Sequence, residues 1–399
     1  MATVNEEYFD AQVRHQVGVR RFASGEVKQM LKILKQADQE LAVKLRKRLA
    51  KMGGGEGLTE RRIRQLMQSM RETRGALWRE VKKEIRGDLS ALGPIEADFE
   101  KRMIEAVVPF DIDLAAVDLG KLRRIATSRP FQGRHLRDWF GRLQQAEQQG
   151  LQQALRMGMT QGEGVNDIVR RVIGTRSRGF TDGVLATSRR NAEAVVRTAV
   201  NHVSNRARED VWDANADIIQ VLRWTATLDG RTSAVCRGRD GRFAPVGNKP
   251  LPEEFRDRAL SPPRARPPAH INCRSLMVAQ LDSDGLLGER PFVRDTRTRR
   301  VREIDFRKIA KEQGRSIQSV RKEWGDKNIG RVPAETDYQS FLKRQPTGFQ
   351  DDVLGTTKGK LFRKGDLTLD KFVDRNGTEL TISQLRKLQP DAFIKAGLD

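Results

Sequence analysis

The stretch RNAEAVVRTAVNHVSNRAREDVWDAN, residues 190–215, decides the class of fold. Small apolar residues recur there at every fourth position, which places them on one face of a helix. They are Val195, Ala199, Val203, Ala207 and Val211. A separate polar line comprises Arg197, Asn201, Ser204 and Arg208. The sequence therefore predicts a long amphipathic helix in the middle of the chain.

The hydrophobic period changes directly after this helix. In IIQVLRWTATLDG, residues 218–230, apolar residues take alternate positions, which is typical of a strand, and Asp229-Gly230 ends it as a turn. Asp240-Gly241 predicts the centre of a tight hairpin. The stretch NCRSLMVAQL, residues 272–281, predicts a returning strand. A small unit of antiparallel strands should therefore follow the central helix.

The parts of the chain before the central helix are also mostly helical in pattern. An apolar stripe predicts a helix over residues 26–52, which the glycines of residues 53–57 end. A second basic helix begins after Thr59, and its pattern breaks near Pro94 and Pro109. Residues 137–175 predict a long helix, a glycine stop and a short helix. Such amphipathic stripes are more typical of a bundle core than of a binding surface.

These patterns predict a mainly α protein with a small α+β domain. We expect an N-terminal helical region over residues 1–128 and a central domain over residues 129–282, with one long helix, short antiparallel strands and a hairpin. Residues 283–399 should form a mixed α/β C-terminal tail domain, because short helices and turns alternate there. The length of 399 residues is sufficient for two or three domains.

The charge of the chain favours a polyanionic partner. Its 75 Lys and Arg residues against 53 Asp and Glu residues leave a formal net charge of +22. Nucleic acid is the first candidate partner, although solvated helix faces are an alternative explanation of the charge. An aromatic content of 6% argues against a platform that stacks single-stranded bases. No apolar run approaches the roughly 20 residues of a membrane span, so membrane insertion is not expected. Two cysteines and no visible signal sequence predict synthesis in a reducing cytoplasm.

Several enzyme classes lack their sequence motifs. GTTKGK, residues 355–360, resembles a phosphate-binding loop but lacks the first glycine and the Ser or Thr after the lysine. The sequence has no strand-linked GxGxxG, no HExxH and no GxSxG motif. We therefore expect no catalytic residues.

Cys236, His270 and Cys273 form a sparse candidate metal set, with Asp229 or Asp240 as a fourth ligand. Zinc prefers four ligands, usually Cys and His in closely spaced pairs, and the partner half of this site has one cysteine only. Three interpretations stay open: a zinc site, a pair of cysteines that oxidises under some conditions, and a structural turn with buried thiols. We therefore expect no cofactor, with zinc as the alternative.

The order of these motifs resembles the phage Mu F-like head morphogenesis family, the minor head proteins of tailed bacteriophages. In that pattern a helix with Arg-Thr leads into a strand, a D-x-R-T-x-x-x-C turn, a DG hairpin and a PP-x-H-x-x-C-R segment. The matching motif residues are Arg197, Thr198, Asp229, Arg231, Thr232, Cys236, Asp240, Gly241, His270, Cys273 and Arg274, and the core of the resemblance runs from about residue 150 to 280.

The resemblance implies a structural protein of the virion rather than an enzyme. Such a protein is made in the host cytoplasm and lies in the head interior or at the portal vertex. Its partners would be the portal protein, the scaffold or the major capsid protein, together with double-stranded DNA bound without sequence preference. Its role would be procapsid assembly and DNA packaging or ejection. The alternatives are a stand-alone basic nucleic-acid-binding protein and a metal-dependent nuclease or toxin-type enzyme.

The chain departs from the family pattern at two cysteine positions. The family carries Cys-x-x-Cys in the turn and Cys-x-Cys in the closing segment, which with the histidine would form a zinc site. Ser233 and Ser275 stand at the corresponding positions here, and serine is a poor zinc ligand. We expect the pair Asp229 and Arg231 to brace the turn instead.

Overall fold

The computed structural model describes residues 4–109, 112–281, 289–295, 297 and 299–398, with the backbone alone for residues 299, 300 and 326. This part of the chain is mainly helical and contains two small antiparallel sheets, as the sequence predicted. None of the described helices is long and apolar enough to cross a membrane.

Two helices of 48 residues each form the N-terminal region. Helix α1 spans Val4–Lys51 and helix α2 spans Glu60–Val107. The predicted glycine stop is confirmed: Gly53 and Gly54 both adopt positive φ angles, which glycine tolerates without a steric penalty. The side chain of Thr59 accepts a hydrogen bond from the backbone N–H of Arg62 and so caps the start of α2.

The predicted break near Pro94 is wrong, whereas the break near Pro109 is confirmed. Helix α2 continues through Pro94 to Val107, although a proline donates no hydrogen bond to the preceding turn. Residues on both sides of Pro94 are buried, among them Leu92 and Ile104. We attribute the continuity to this burial, which outweighs the lost hydrogen bond.

Helix α6, Val184–Ala214, is the predicted central helix, and it packs against α1 to α5. Its predicted apolar line is buried, and three of the four residues of its polar line are buried as well. The preceding elements are α3, Leu119–Ser128; α4, Leu136–Thr160; and α5, Val165–Ile173. The long helix, glycine stop and short helix predicted before α6 are thus confirmed.

Buried polar contacts fix the positions of the two long helices. Arg74 of α2 binds Asp38 of α1 and Glu147 of α4, with N–O distances of 2.7 Å in both pairs. Arg208 of α6 donates a hydrogen bond of 2.7 Å to the side chain of Gln12. Helix α1 is therefore held firmly beside α6, where the two helices form one wall of the site described below.

A three-stranded antiparallel sheet follows α6 in the order β2-β1-β3. Strand β1 is Val221–Thr225, β2 is Phe243–Pro245 and β3 is Leu276–Gln280. The two strands predicted on either side of the irregular segment are therefore present as β1 and β3. All five residues of β1 are buried, so the alternating pattern predicted for it does not produce an exposed face.

The hairpin predicted at Asp240-Gly241 is wrong. A short helix, α7 (Ala234–Arg239), occupies the position of the first strand, and Ser233 caps it by accepting a hydrogen bond from the N–H of Cys236. Gly241 adopts a φ angle of +75° and turns the chain from α7 into β2. The DG pair therefore joins a helix to a strand.

The C-terminal tail mixes helices and a two-stranded sheet, as predicted. Tyr338 of the tail donates a hydrogen bond of 2.7 Å to the backbone oxygen of Asp229, so the tail contacts the central region. The strands are β4, Glu289–Val293, and β5, Ile329–Pro333, and the helices are α8, Arg299–Glu312; α9, Ile317–Lys327; α10, Tyr338–Lys343; α11, Thr347–Leu354; α12, Thr356–Lys364; α13, Ile382–Leu388; and α14, Pro390–Ala396.

The predicted domain boundaries stay predictions. The boundary between residues 282 and 283 lies outside the described residues. The boundary at residue 128 crosses a hydrophobic cluster that contains Val27 of α1, Val81 of α2 and Val203 of α6. The N-terminal helices and the central helix therefore share one core.

Candidate functional site

Cys236, His270 and Cys273 come together as predicted, although the first two are 34 positions apart in sequence. Cys236 lies on α7, and the other two lie on the loop that precedes β3. The two Sγ atoms are 3.7 Å apart, and Nε2 of His270 is 3.3 Å from Sγ of Cys236. Both cysteines are buried and free. The group links α7 to the loop.

The hydrogen bonds of His270 determine its tautomer. Nδ1 of His270 lies 2.8 Å from the backbone oxygen of Ile271, and a carbonyl oxygen only accepts. In the neutral imidazole Nδ1 therefore carries the proton, and Nε2 directs its lone pair toward Cys236 and toward Oγ of Ser233, at 2.7 Å. This arrangement is usual for a histidine that binds a metal, and it equally suits a neutral histidine that accepts a hydrogen bond from Ser233.

The three donors fit zinc in type and in spacing. Tetrahedral zinc with Zn–S bonds of about 2.3 Å separates two sulfur ligands by about 3.7 to 3.8 Å, which agrees with the distance observed here. When bound, zinc would supply a structural cross-link held by Cys236, His270 and Cys273. The fourth ligand expected at Asp229 or Asp240 is not part of the group, because the donors that converge are these three alone among the described residues.

The two thiols share one hydrogen bond, which shifts their pKa values in opposite directions. That hydrogen bond raises the pKa of Cys236 well above its ordinary value, and burial acts in the same direction. The same bond, together with His270, lowers the pKa of Cys273. Burial alone would lower the pKa of His270, but its contact with Cys273 outweighs burial and raises it. The two thiols therefore titrate as a coupled pair.

Asp229 braces the turn after β1, but its main partner is Arg274 rather than Arg231. Nη1 and Nη2 of Arg274 contact the two carboxylate oxygens of Asp229 at 2.6 and 2.7 Å. Nε of Arg231 approaches at 3.4 Å, and its side chain is 62% exposed. Although burial opposes ionisation, the hydrogen bonds and charge of Arg274 lower the pKa of Asp229 to about 2. Thr232 also donates to the backbone oxygen of Thr227 in the same turn.

Asp240 holds the end of β1 to the C-terminal sheet. Its Oδ1 accepts a hydrogen bond of 2.7 Å from the backbone N–H of Ala226. Its Oδ2 lies 2.9 Å from Nη1 of Arg290 on β4, and both side chains are buried. Asp240 therefore connects two sheets, a role that its expected position in a hairpin did not predict.

The Arg-Thr pair on α6 divides its contacts between two partners. Oγ1 of Thr198 accepts a hydrogen bond of 2.9 Å from the backbone N–H of Asn272 and so fixes the loop that carries His270 and Cys273. Arg197 binds Glu193 and donates a hydrogen bond of 3.0 Å to Oγ of Ser24 on α1. The pair thus connects α6 both to the loop and to the N-terminal helix.

A cleft of about 650 Å³ opens where α1 and α6 meet the turn after β1 and the loop before β3. Four arginines line it: Arg20, Arg197, Arg231 and Arg274. We refer to it below as the arginine cleft. Arg20 donates hydrogen bonds of 2.8 Å to Oγ1 of Thr227 and 3.0 Å to the backbone oxygen of Arg274. Burial and the charge of Arg274 lower the pKa of Arg20 to about 10. Sequence reasoning missed Arg20, because no pattern in α1 relates it to a turn some 200 residues later.

Residues 149–278 match the family model described as Phage Mu protein F like protein. The chain carries a Phage Mu F-like domain. The match begins within α4 and ends within β3, and it contains the Cys/His group and every motif residue on which the resemblance rested. It covers about a third of the chain, so the long N-terminal helices and the whole C-terminal tail lie outside it. No curated protein and no solved structure matches the chain.

The Phage Mu F-like domain indicates a phage head morphogenesis protein, hence a structural component of the virion that contacts other virion proteins. This agrees with the geometry of the domain. Thr198, Asp229, Asp240 and Arg274 each bind another segment of the same chain. These motif residues hold α6, the turn, the loop and β4 together.

Proposed function

We propose that the chain is a minor head protein of a tailed bacteriophage that enters the procapsid near the portal. The observation that carries this proposal is the Phage Mu F-like domain at residues 149–278. The portal protein, the scaffold or the major capsid protein would be its protein partners. Its role would lie in procapsid assembly and in DNA packaging or ejection.

The contacts of the motif residues support a structural role. Asp229 is bound by Arg274 and Asp240 is bound by Arg290, so both carboxylates are neutralised by buried or partly buried arginines. A general acid or base needs access to a substrate proton, and these ion pairs occupy the carboxylate oxygens. We infer that the motif stabilises the domain and performs no chemical step.

The surface of α1 supports contact with double-stranded DNA. A row of five exposed basic residues lies on one face of this helix, because their spacings of 7, 4, 3 and 11 residues are close to whole numbers of helical turns. None forms an ion pair with another described residue. We call it the α1 basic row; it consists of Arg21, Lys28, Lys32, Lys35 and Arg46. It extends over about 38 Å, which suits contact with several phosphates of one DNA strand.

The proposal is tested by removing the protein from cells that assemble the phage head. Heads assembled without the chain should contain less packaged DNA than heads from complemented cells, measured as the ratio of full to empty heads on a gradient. An unchanged ratio, combined with DNA binding by the purified chain, would favour the alternative of a stand-alone nucleic-acid-binding protein.

A further inference from the structure

We propose that the arginine cleft binds a phosphate ester of the size of a nucleotide. The source of the phosphate is either a free nucleotide or the phosphorylated end of a DNA strand. This proposal is independent of the proposed role in the phage head, since it rests on the cleft alone.

The charge of the cleft calls for an anion with two negative charges. The four arginines contribute four positive charges. Two acidic residues paired with them, Glu193 and Asp229, contribute two negative charges. Like charges at such short range repel each other, and a bound dianion relieves that repulsion. A phosphate monoester carries up to two negative charges near neutral pH, whereas a carboxylate carries one.

Two buried polar atoms at the cleft have no partner among the described residues. One is Nε of Arg20, a donor, and the other is Oε1 of Gln16, an acceptor. Gln16 is 4% exposed, and its Nε2 already donates to the side chain of Asn201. Buried polar atoms are nearly always paired, so a ligand with both acceptors and donors would satisfy this site. Phosphate oxygens would accept from Arg20, and a sugar hydroxyl or an amino group of a base would donate to Gln16.

Three of the four arginines are fixed before any ligand binds, whereas the side chain of Arg231 is 62% exposed. Arg20 is held by Thr227 and by the backbone oxygen of Arg274, and Arg274 is held by Asp229. Arg197 is held by Glu193 and Ser24. Binding therefore requires little ordering of these side chains, and a guanidinium group matches two oxygens of a phosphate in geometry.

The size of the cleft favours a nucleotide over inorganic phosphate. Its volume of about 650 Å³ falls within the range of small-molecule sites, roughly 300 to 1,000 Å³, and far exceeds the space that one phosphate fills. Val19, Ala23 and Val200 supply an apolar wall beside the arginines. A sugar and a base would lie against this wall while the phosphate contacts the guanidinium groups.

The experiment is calorimetric titration of the full chain in a phosphate-free buffer of low ionic strength. Deoxyadenosine monophosphate is compared with deoxyadenosine, and an end-phosphorylated DNA duplex with the same duplex bearing hydroxyl ends. Arg231→Gln removes the most exposed charge of the cleft and leaves the Asp229–Arg274 pair intact, so this variant should fold. Arg190→Gln is the matched control, since Arg190 is exposed on the same helix as Arg197 but lies outside the cleft.

Phosphate-dependent binding that Arg231→Gln weakens about tenfold or more, and Arg190→Gln leaves unchanged, would support the proposal. If the mononucleotide binds, the source is a free nucleotide; if only the phosphorylated duplex binds, the source is a DNA end. The proposal is wrong if neither ligand binds more tightly than its counterpart without phosphate. It is equally wrong if the two variants weaken binding to the same extent.

Discussion

Arg274 donates hydrogen bonds to both carboxylate oxygens of Asp229, at 2.6 and 2.7 Å, and thereby joins the loop before β3 to the turn after β1. The same arginine offers its backbone oxygen to Arg20 on the N-terminal helix. One residue pair thus connects the Cys/His loop, the sheet and α1. We therefore expect this connection to stabilise the Phage Mu F-like domain.

Breaking the pair should destabilise the protein substantially. Arg274→Ala leaves the carboxylate of Asp229 buried without its main partner, and we expect the free energy of unfolding to fall by about 3 kcal/mol. Arg231→Ala is the control, because its side chain is 62% exposed, and its effect should stay within about 0.5 kcal/mol. Urea unfolding of both variants measures the difference. Equal losses for the two would refute the assignment of Arg274 as the main partner.

The same pair predicts a loss of stability in acid. The pKa of Asp229 is about 2 in the folded state and about 3.9 in an unfolded chain, so the folded state favours the ionised carboxylate. The resulting stabilisation, roughly 2 to 3 kcal/mol, is present above pH 4 and disappears as the pH falls through about 2. Asp229→Asn should lack this component, which a series of urea titrations at different pH values would detect. If the free energy of unfolding depends on pH in the same way in the wild type and in Asp229→Asn, then Asp229 is not the source of this loss of stability in acid.

Glu26 should show the opposite dependence on pH. Burial and the neighbouring Asp88 raise the pKa of Glu26 to about 7, and its Oε2 has no partner among the described residues. The folded state therefore favours the protonated form, so wild-type stability should decrease as the pH rises from about 4.5 to 7. Glu26→Gln removes this cost and should be more stable than wild type by about 1 to 2 kcal/mol at pH 8. Glu40→Gln, on an exposed part of the same helix, is the matched control. If Glu26→Gln is no more stable than wild type at pH 8, then ionisation of Glu26 does not destabilise the folded state, which would contradict its raised pKa.

Much of this fold follows from local pattern, and the exceptions have physical reasons. Helical periodicity predicted α4, α5 and α6, and alternation predicted β1, because these signals lie within single elements. The course of α2 through Pro94 depends on burial by distant residues, which local propensity does not contain. The short α7 depends on the cap that Ser233 provides, whereas the sequence DG suggested a hairpin.

In the candidate site, too, the sequence predicted some features, whereas others depend on tertiary packing. The residue types and spacing gave Cys236, His270 and Cys273 as a candidate metal set, and the donor atoms of these three residues lie together. The partner of Asp229 was predicted by proximity in sequence as Arg231, whereas tertiary folding brings Arg274 closer. Arg20 and Gln16 reach the arginine cleft only because α1 packs beside α6, a contact that no sequence spacing encodes.

The Cys/His group should not be required for folding. Its donors fit zinc, but serines occupy the two further ligand positions of the family pattern, and four large apolar clusters support the fold. We expect a chelator to leave the free energy of unfolding of the wild type unchanged. The double variant Cys236→Ala/Cys273→Ala should keep its helical circular dichroism spectrum. Unfolding by the chelator, reversed by added zinc, would establish instead a structural zinc site.

The α1 basic row should account for part of the affinity for DNA. Replacing Lys28, Lys32 and Lys35 by Gln should weaken binding to duplex DNA and reduce the slope of log K against log salt by up to about 2.7. The control replaces Lys371, Arg375 and Lys387, which are exposed and carry the same total charge. Equal effects of both triple variants would mean that net charge rather than the α1 basic row governs binding.

The most direct measurement is quantitative mass spectrometry of phage heads purified on a density gradient from cells that produce the phage. The account predicts that peptides of this chain sediment with procapsids and with DNA-filled heads, in a small and constant ratio to the major capsid protein. Recovery of the chain only from the soluble fraction, with none in either kind of head, would contradict its assignment as a head protein.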